Sequence, residues 1–85
     1  MKSNTRDLTK LVSVFKGLKT EPQLEDFLVG ILTPKEIIEL SRRIDIVKML
    51  KQGVQHHVIA ERLKVGVATV TRGSKEIQKG RLAYV

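Results

Sequence analysis

Cysteine and tryptophan are both absent from this sequence, and its 85 residues include two prolines, two phenylalanines and one tyrosine. Without cysteine there is no disulfide, no thiolate zinc site and no thiol nucleophile. With so few aromatics the core must be aliphatic. No apolar run approaches the roughly 18 residues of a membrane span. No apolar stretch follows Met1-Lys2-Ser3-Asn4, so no secretory signal is expected either. The expectation is a soluble cytoplasmic protein with no membrane partner. Catalytic signatures are missing too: there is no Ser/His/acid spacing of a triad, no glycine-rich phosphate loop and no metal-ligand cluster. An enzyme is the least expected class, and no metal is expected. A chain this short buries only about 60–65% of the surface it exposes when unfolded, so oligomerisation is the expected route to stability.

Positive charge is what the sequence has in excess. Lys and Arg number 16 against nine Asp and Glu, a net charge of +7. The distribution is lopsided. Residues 1–39 hold six basic and six acidic side chains, whereas residues 40–85 hold ten basic and three acidic. The whole surplus lies in the C-terminal half, which points to a polyanionic partner for that half.

Apolar spacing predicts an all-α chain with no alternating strand pattern. Leu8, Leu11, Val12, Phe15 and Leu18 mark a first helix, capped by Asn4 or Thr5 and ending near Gly17. Thr20-Glu21-Pro22-Gln23 reads as a capping box opening a second helix through Leu24, Phe27, Leu28, Ile31 and Leu32. Thr33-Pro34-Lys35-Glu36 is the strongest start signal, followed by a stripe of Ile37, Leu40, Ile44, Val47 and Leu50 that is assigned to the core. Gly53 supplies a left-handed stop to this third helix, about 34–52. Two short helices, about 55–63 and 67–79, follow before a tail after Gly80 that is too short for another helix.

The segment Ile59-Ala60-Glu61-Arg62-Leu63-Lys64-Val65-Gly66-Val67-Ala68-Thr69-Val70-Thr71-Arg72 looks like a helix-turn-helix. Ala60 is small where two helices must cross, and Ile59, Leu63, Val65 and Val70 form the core that fixes the crossing. The short side chains Val67, Ala68 and Thr69 let the second helix approach base edges in a major groove. Thr71 and Arg72 sit one turn further, placed for phosphate or guanine, and Lys75 adds charge near the backbone. Lys64 stands where such motifs usually have a turn glycine, so Gly66 is expected to supply the flexible backbone. The alternative is an αα-hairpin used only for packing or for gripping a protein or RNA. His56 and His57 open the first of these helices. They point about 100° apart and cannot chelate one metal as an i,i+4 pair would. They either contact DNA or stay in water.

A wider pattern joins these pieces. Leu32-Thr33-Pro34-Lys35-Glu36, Arg43-Ile44-Asp45-Ile46-Val47, Gly53, Ile59 and Ala68-Thr69-Val70-Thr71-Arg72-Gly73-Ser74 together resemble the bacterial Trp repressor family over roughly residues 24–79. The resemblance implies an intertwined all-helical homodimer forming a single domain over 1–85. Residues 5–53 would form the dimerisation core, 55–79 a DNA-reading head and 80–85 a tail. It implies a nucleoid-associated repressor reading a palindromic duplex operator. That docking geometry is known for the family and is not dictated by these residues alone. It also implies L-tryptophan as corepressor. Arg43 of the partner chain and Arg72 would sandwich the indole, Thr33 and Arg72 would hold the carboxylate, the carbonyls of Gly30 and Leu32 would face the ammonium, and Thr69 and Gly73 would line the slot.

Three departures from the family bear on that site. Glu76 stands near the ligand ammonium where the repressor has serine, and would either pair with the ammonium or reach Arg72 and close the slot. The loop after Gly53 is one residue shorter, as in the related Trp-repressor-like YerC/YecD-type proteins, whose ligand is uncertain. The pattern also stops before the repressor's final helix. A DNA-binding protein with a different ligand, or none, is therefore the alternative.

Overall fold

The protein is described here by a computed structural model covering residues 5–85. Its regular structure, among the described residues, is five helices and no strand: α1 (Thr5–Gly17), α2 (Glu21–Ile31), α3 (Pro34–Lys51), α4 (His56–Leu63) and α5 (Val67–Gln78). Asn4, one of the two expected caps of α1, lies outside the described residues. The chain divides into two compact units, residues 1–37 and 38–85.

In the first unit, local hydrogen bonding sets the helix starts. The Thr20 hydroxyl accepts from the Gln23 N–H at 3.3 Å, and the Gln23 carboxamide oxygen accepts from the N–H of Thr20 and, at 2.7 Å, that of Lys19. The same reciprocal box recurs at α3. Glu36 N–H donates to the Thr33 hydroxyl at 3.1 Å, and Thr33 N–H donates to the Glu36 carboxylate at 2.9 Å. That backbone donation, with the hydroxyl's help, holds the Glu36 carboxyl below its ordinary range. Phe15 of α1 meets Phe27 of α2 edge-on, ring centroids 5.3 Å apart. Neither helix has a buried residue, and Leu8, Leu11, Val12 and Phe15 remain exposed.

The second unit holds the buried core: Ile46, Ile59, Ala60 and Val70, with Met49, Leu50, Val54, Leu63 and Val65 packed around them. Val47 is buried as well. The expected α3 stripe is only partly core. Leu40 and Ile44 are 40% and 47% exposed, whereas Ile46, which lies off the stripe, is 2% exposed. The reason is that the core gathers on the C-terminal half of α3, around Ile46, Val47 and Leu50, leaving the N-terminal part of the stripe exposed. Ala60 lets α4 lie close on α5, with Ile59 and Val70 fully enclosed beside it.

Two turns aim these helices. Gly53, with φ of 84°, ends α3: its N–H bonds the Leu50 carbonyl and the Val54 N–H bonds that of Met49, a Schellman arrangement. The turn after α4 departs from expectation. Gly66 has φ −71° and ψ 148°, a conformation open to any residue, and caps α5. The left-handed position is Lys64 itself, with φ 56° and ψ 47°, and Val65 N–H closes the helix on the Ala60 carbonyl. The turn geometry needs a positive φ at the first residue after the helix, and the sequence fills that position with a lysine.

Two outcomes are expected from this geometry. Lys64→Gly removes the left-handed penalty and raises stability by about 1 kcal/mol, whereas Gly66→Ala is nearly neutral; chemical denaturation of the three proteins decides it. Glu36 contributes stability at pH above the ordinary carboxylate range and loses it as pH falls through its lower folded range. Glu36→Gln keeps the box, as Gln23 does in α2, so melting curves from pH 7 to pH 3 should be flatter for the variant than for the parent.

Candidate ligand pocket and nucleic-acid face

Helix α5 builds two surfaces because its sides differ in chemistry. Val70, Gly73 and Ile77 recur at helical spacing on the side turned to the core, and Val70 is fully enclosed. Gly73 brings α5 close to α3: a β-carbon there would lie 3.4 Å from the Ile46 side chain and 3.5 Å from that of Leu50. The opposite side presents Val67, Ala68, Thr71, Arg72, Lys75, Glu76 and Lys79 around a shallow surface depression.

The outward face is electropositive. Among the described residues, the ion pairs of this unit both fall on Glu76, which takes Arg81 at 2.7 Å and Lys79 at 3.1 Å. Arg72 and Lys75 have no carboxylate partner, and Val67, Ala68 and Thr69 are exposed at the helix start with Thr71 half-buried one turn on. His56 and His57 occupy the first turn of α4, the former half-buried and the latter exposed. Among the described residues no group of three or more His, Cys, Asp or Glu is placed to hold a metal ion.

The inward side borders a second, largely apolar depression of about 590 Å³ between α3 and α5. Leu40, Arg43, Ile44, Ile46 and Val47 of α3 line it together with Ala68, Thr69, Arg72, Gly73 and Glu76 of α5 and with Leu82 and Val85 beyond α5. Five of the expected ligand residues, Arg43, Thr69, Arg72, Gly73 and Glu76, therefore come together. Arg43 and Arg72 of one chain line the same depression. Gly30, Leu32 and Thr33 belong to the first compact unit, and the Thr33 hydroxyl is engaged by the cap of α3.

Glu76 is not turned to Arg72, the closure considered from the sequence. Its carboxylate is held by Arg81 first and Lys79 second, and both bonds keep its pKa below the ordinary value. Arg81 competes successfully because the turn at Gly80, with φ of 87°, sends the chain back along α5. The Arg81 N–H itself bonds the Glu76 carbonyl at 3.1 Å. Sequence reasoning missed Leu82, Val85 and Lys51. The available signal was the apolar pattern Leu82-Ala83-Tyr84-Val85 just beyond a glycine stop, which a solvated tail does not need.

A family model described as Trp repressor protein matches residues 6–85. Among curated relatives, a Trp operon repressor homolog of Vibrio parahaemolyticus is 34% identical over 86% of this chain and 72% of its own length. Another, from Vibrio cholerae, is 36% identical over 81% of this chain and 68% of its own length. The uncharacterized protein YerC of Bacillus subtilis is 27% identical over 93% and 76% respectively. No solved structure matches the chain.

The close approach at Gly73 has a measurable consequence. Because the nearest atoms would stand at ordinary contact distance, Gly73→Ala is expected to fit and to raise helix stability by up to about 1 kcal/mol. A melting temperature at or above that of the parent checks this; a marked drop would mean that α3 and α5 are closer in solution.

Proposed function

The chain belongs to the Trp repressor family, and on that premise we propose that it is a sequence-specific, DNA-binding transcriptional regulator. The observation that carries this reading is the outward face of α5: short side chains at its N-terminal end, then Arg72 and Lys75 without carboxylate partners. In this proposal α4 and α5 act as a helix-turn-helix. Val67, Ala68 and Thr69 approach base edges, Thr71, Arg72 and Lys75 reach phosphate or guanine, and His56 and His57 face the neighbouring backbone. The protein works as a homodimer on a palindromic operator. Exposed Leu8, Leu11, Val12, Phe15 and Ile37 support that state, since a second copy would cover apolar surface that one chain leaves in water. No helix among the described residues is long and apolar enough to cross a membrane. A cytoplasmic, nucleoid-associated site of action fits the proposed activity.

The proposed corepressor is L-tryptophan in the depression between α3 and α5. Arg43 and Arg72 would flank the indole, a favourable arrangement of guanidinium planes over an aromatic face. Thr69 and Gly73 would line the slot. Thr33 and the carbonyls of Gly30 and Leu32 remain in the proposal as carboxylate and ammonium partners. A second reading, a regulator with another ligand, is favoured by one specific observation. Glu76 is already neutralised by Arg81 and Lys79, so a ligand ammonium must compete with two resident cations for it.

Selection from a library of palindromic duplexes, with and without L-tryptophan, tests both levels. Enrichment of one palindrome supports the regulator; retention that depends on salt but not on sequence would point to a general polyanion binder. Lys75→Ala is expected to weaken binding uniformly and to lower the salt slope by about 1. For the corepressor, indole emission is an uncluttered signal because the chain has no tryptophan. A saturable blue shift with one site per chain is expected, and no shift at millimolar ligand removes tryptophan from the proposal.

A further inference from the structure

The five residues after Gly80 do not leave the molecule. The Lys51 ammonium, at the end of α3, donates to the main-chain oxygen of Leu82 and, at 2.9 Å, to that of Val85. A turn closes between them, Val85 N–H to the Leu82 carbonyl at 3.3 Å. At the other end Arg81 is tied to Glu76 through both its guanidinium and its N–H. The segment is thus fastened to α3 and to α5, the two helices that flank the depression.

Leu82 stands at φ 62°, a left-handed conformation that is strained for a non-glycine residue and persists only when surrounding contacts hold it. Those contacts are the two lysine bonds and the depression itself, which Leu82 and Val85 both line. Tyr84, between them, is fully exposed. The strained turn therefore sorts the segment: its two aliphatic side chains border the depression and its aromatic one faces water. The depression keeps about 590 Å³ with the segment in place, within the roughly 300–1,000 Å³ of small-molecule sites. The segment does not fill the space; it bounds it.

We propose that residues 81–85, fastened by Lys51 and Glu76, form a third wall of the ligand pocket, with Leu82 and Val85 covering the apolar body of a small aromatic or aliphatic carboxylate. The proposal rests on the reading of this depression as a ligand site. The charges agree with the ligand class: Glu76 is paired twice, so Arg43 and Arg72 leave the pocket net positive and suited to an anion. Lys51 is a positioning residue that acts through the main chain of Leu82 and Val85. Leu82 is a binding residue.

The test uses the full chain with L-tryptophan and indole-3-propionate as probes, read by indole emission, and amide hydrogen exchange at Arg81 and Val85. Leu82→Ala and Lys51→Met are each expected to weaken probe binding roughly three- to tenfold. Both side chains sit on an exposed segment or helix end, so melting temperatures should change little and fold loss is visible separately. Saturating probe should slow exchange at the Arg81 and Val85 amides in the parent chain, because linkage makes ligand and wall stabilise one another. A merely structural turn would leave that exchange unchanged. Faster exchange with probe bound, or unchanged affinity in both variants, overturns the wall. Should neither probe bind any of the proteins, the ligand reading fails and the wall with it. Val85 exchange in Lys51→Met against the parent would then still report whether the segment is docked.

Discussion

Everything functional in the second unit depends on one contact: Ile59 of α4 and Val70 of α5 enclosed together against Ile46 of α3. These three side chains are almost wholly removed from water, and no polar group is buried beside them. Non-directional burial fixes how close three helices come. Ala60 lets α4 lie near α5, and at Gly73 α5 passes beside Ile46 and Leu50 of α3 with room for one more methyl group. With Val70 held inward, the 3.6-residue repeat leaves no freedom over which side chains α5 turns out. The basic outer face and the apolar depression are two sides of that single constraint.

The depression and the face share residues. Ala68, Arg72 and Glu76 border both. Arg72 is the consequential one, since its guanidinium lies where an anionic ligand and a phosphate backbone would each seek it. Glu76, by contrast, is withdrawn from either duty by Arg81 and Lys79. One carboxylate absorbing two cations also means that the remaining basic side chains of α5 are not neutralised from within the helix.

Much of this was legible in the residues. The starts of α2 and α3 were written as Thr-x-x-Gln and Thr-x-x-Glu, and both boxes formed, because a capping box is local and needs nothing from the rest of the chain. Gly53 likewise acts within its own turn. What the sequence concealed was everything set by packing between elements. The stripe from Ile37 to Leu50 has the right period for a core, yet period alone does not say how far along it the neighbours reach, and here the core gathers at its C-terminal half, around Ile46, Val47 and Leu50. The glycine of the turn is Gly66, but Lys64 takes the strained conformation because α4 closes on the Ala60 carbonyl whatever residue follows. Arg43, Thr69, Arg72, Gly73 and Glu76, legible from the family pattern, share one depression. The return of Leu82 and Val85 to it was invisible, since it depends on a lysine 31 residues upstream of Leu82.

The small aliphatic core has a thermal consequence. Unfolding a protein exposes apolar surface, and hydration of that surface supplies the positive heat-capacity change that bends stability against temperature. Five apolar side chains are buried among the described residues, and most of α1, α2 and the first half of α3 is already wetted. An isolated chain therefore has little new apolar surface to hydrate. Its stability curve is shallow, with a low maximum and a gentle decline on either side, and steep curvature would require apolar surface buried beyond that of the isolated chain.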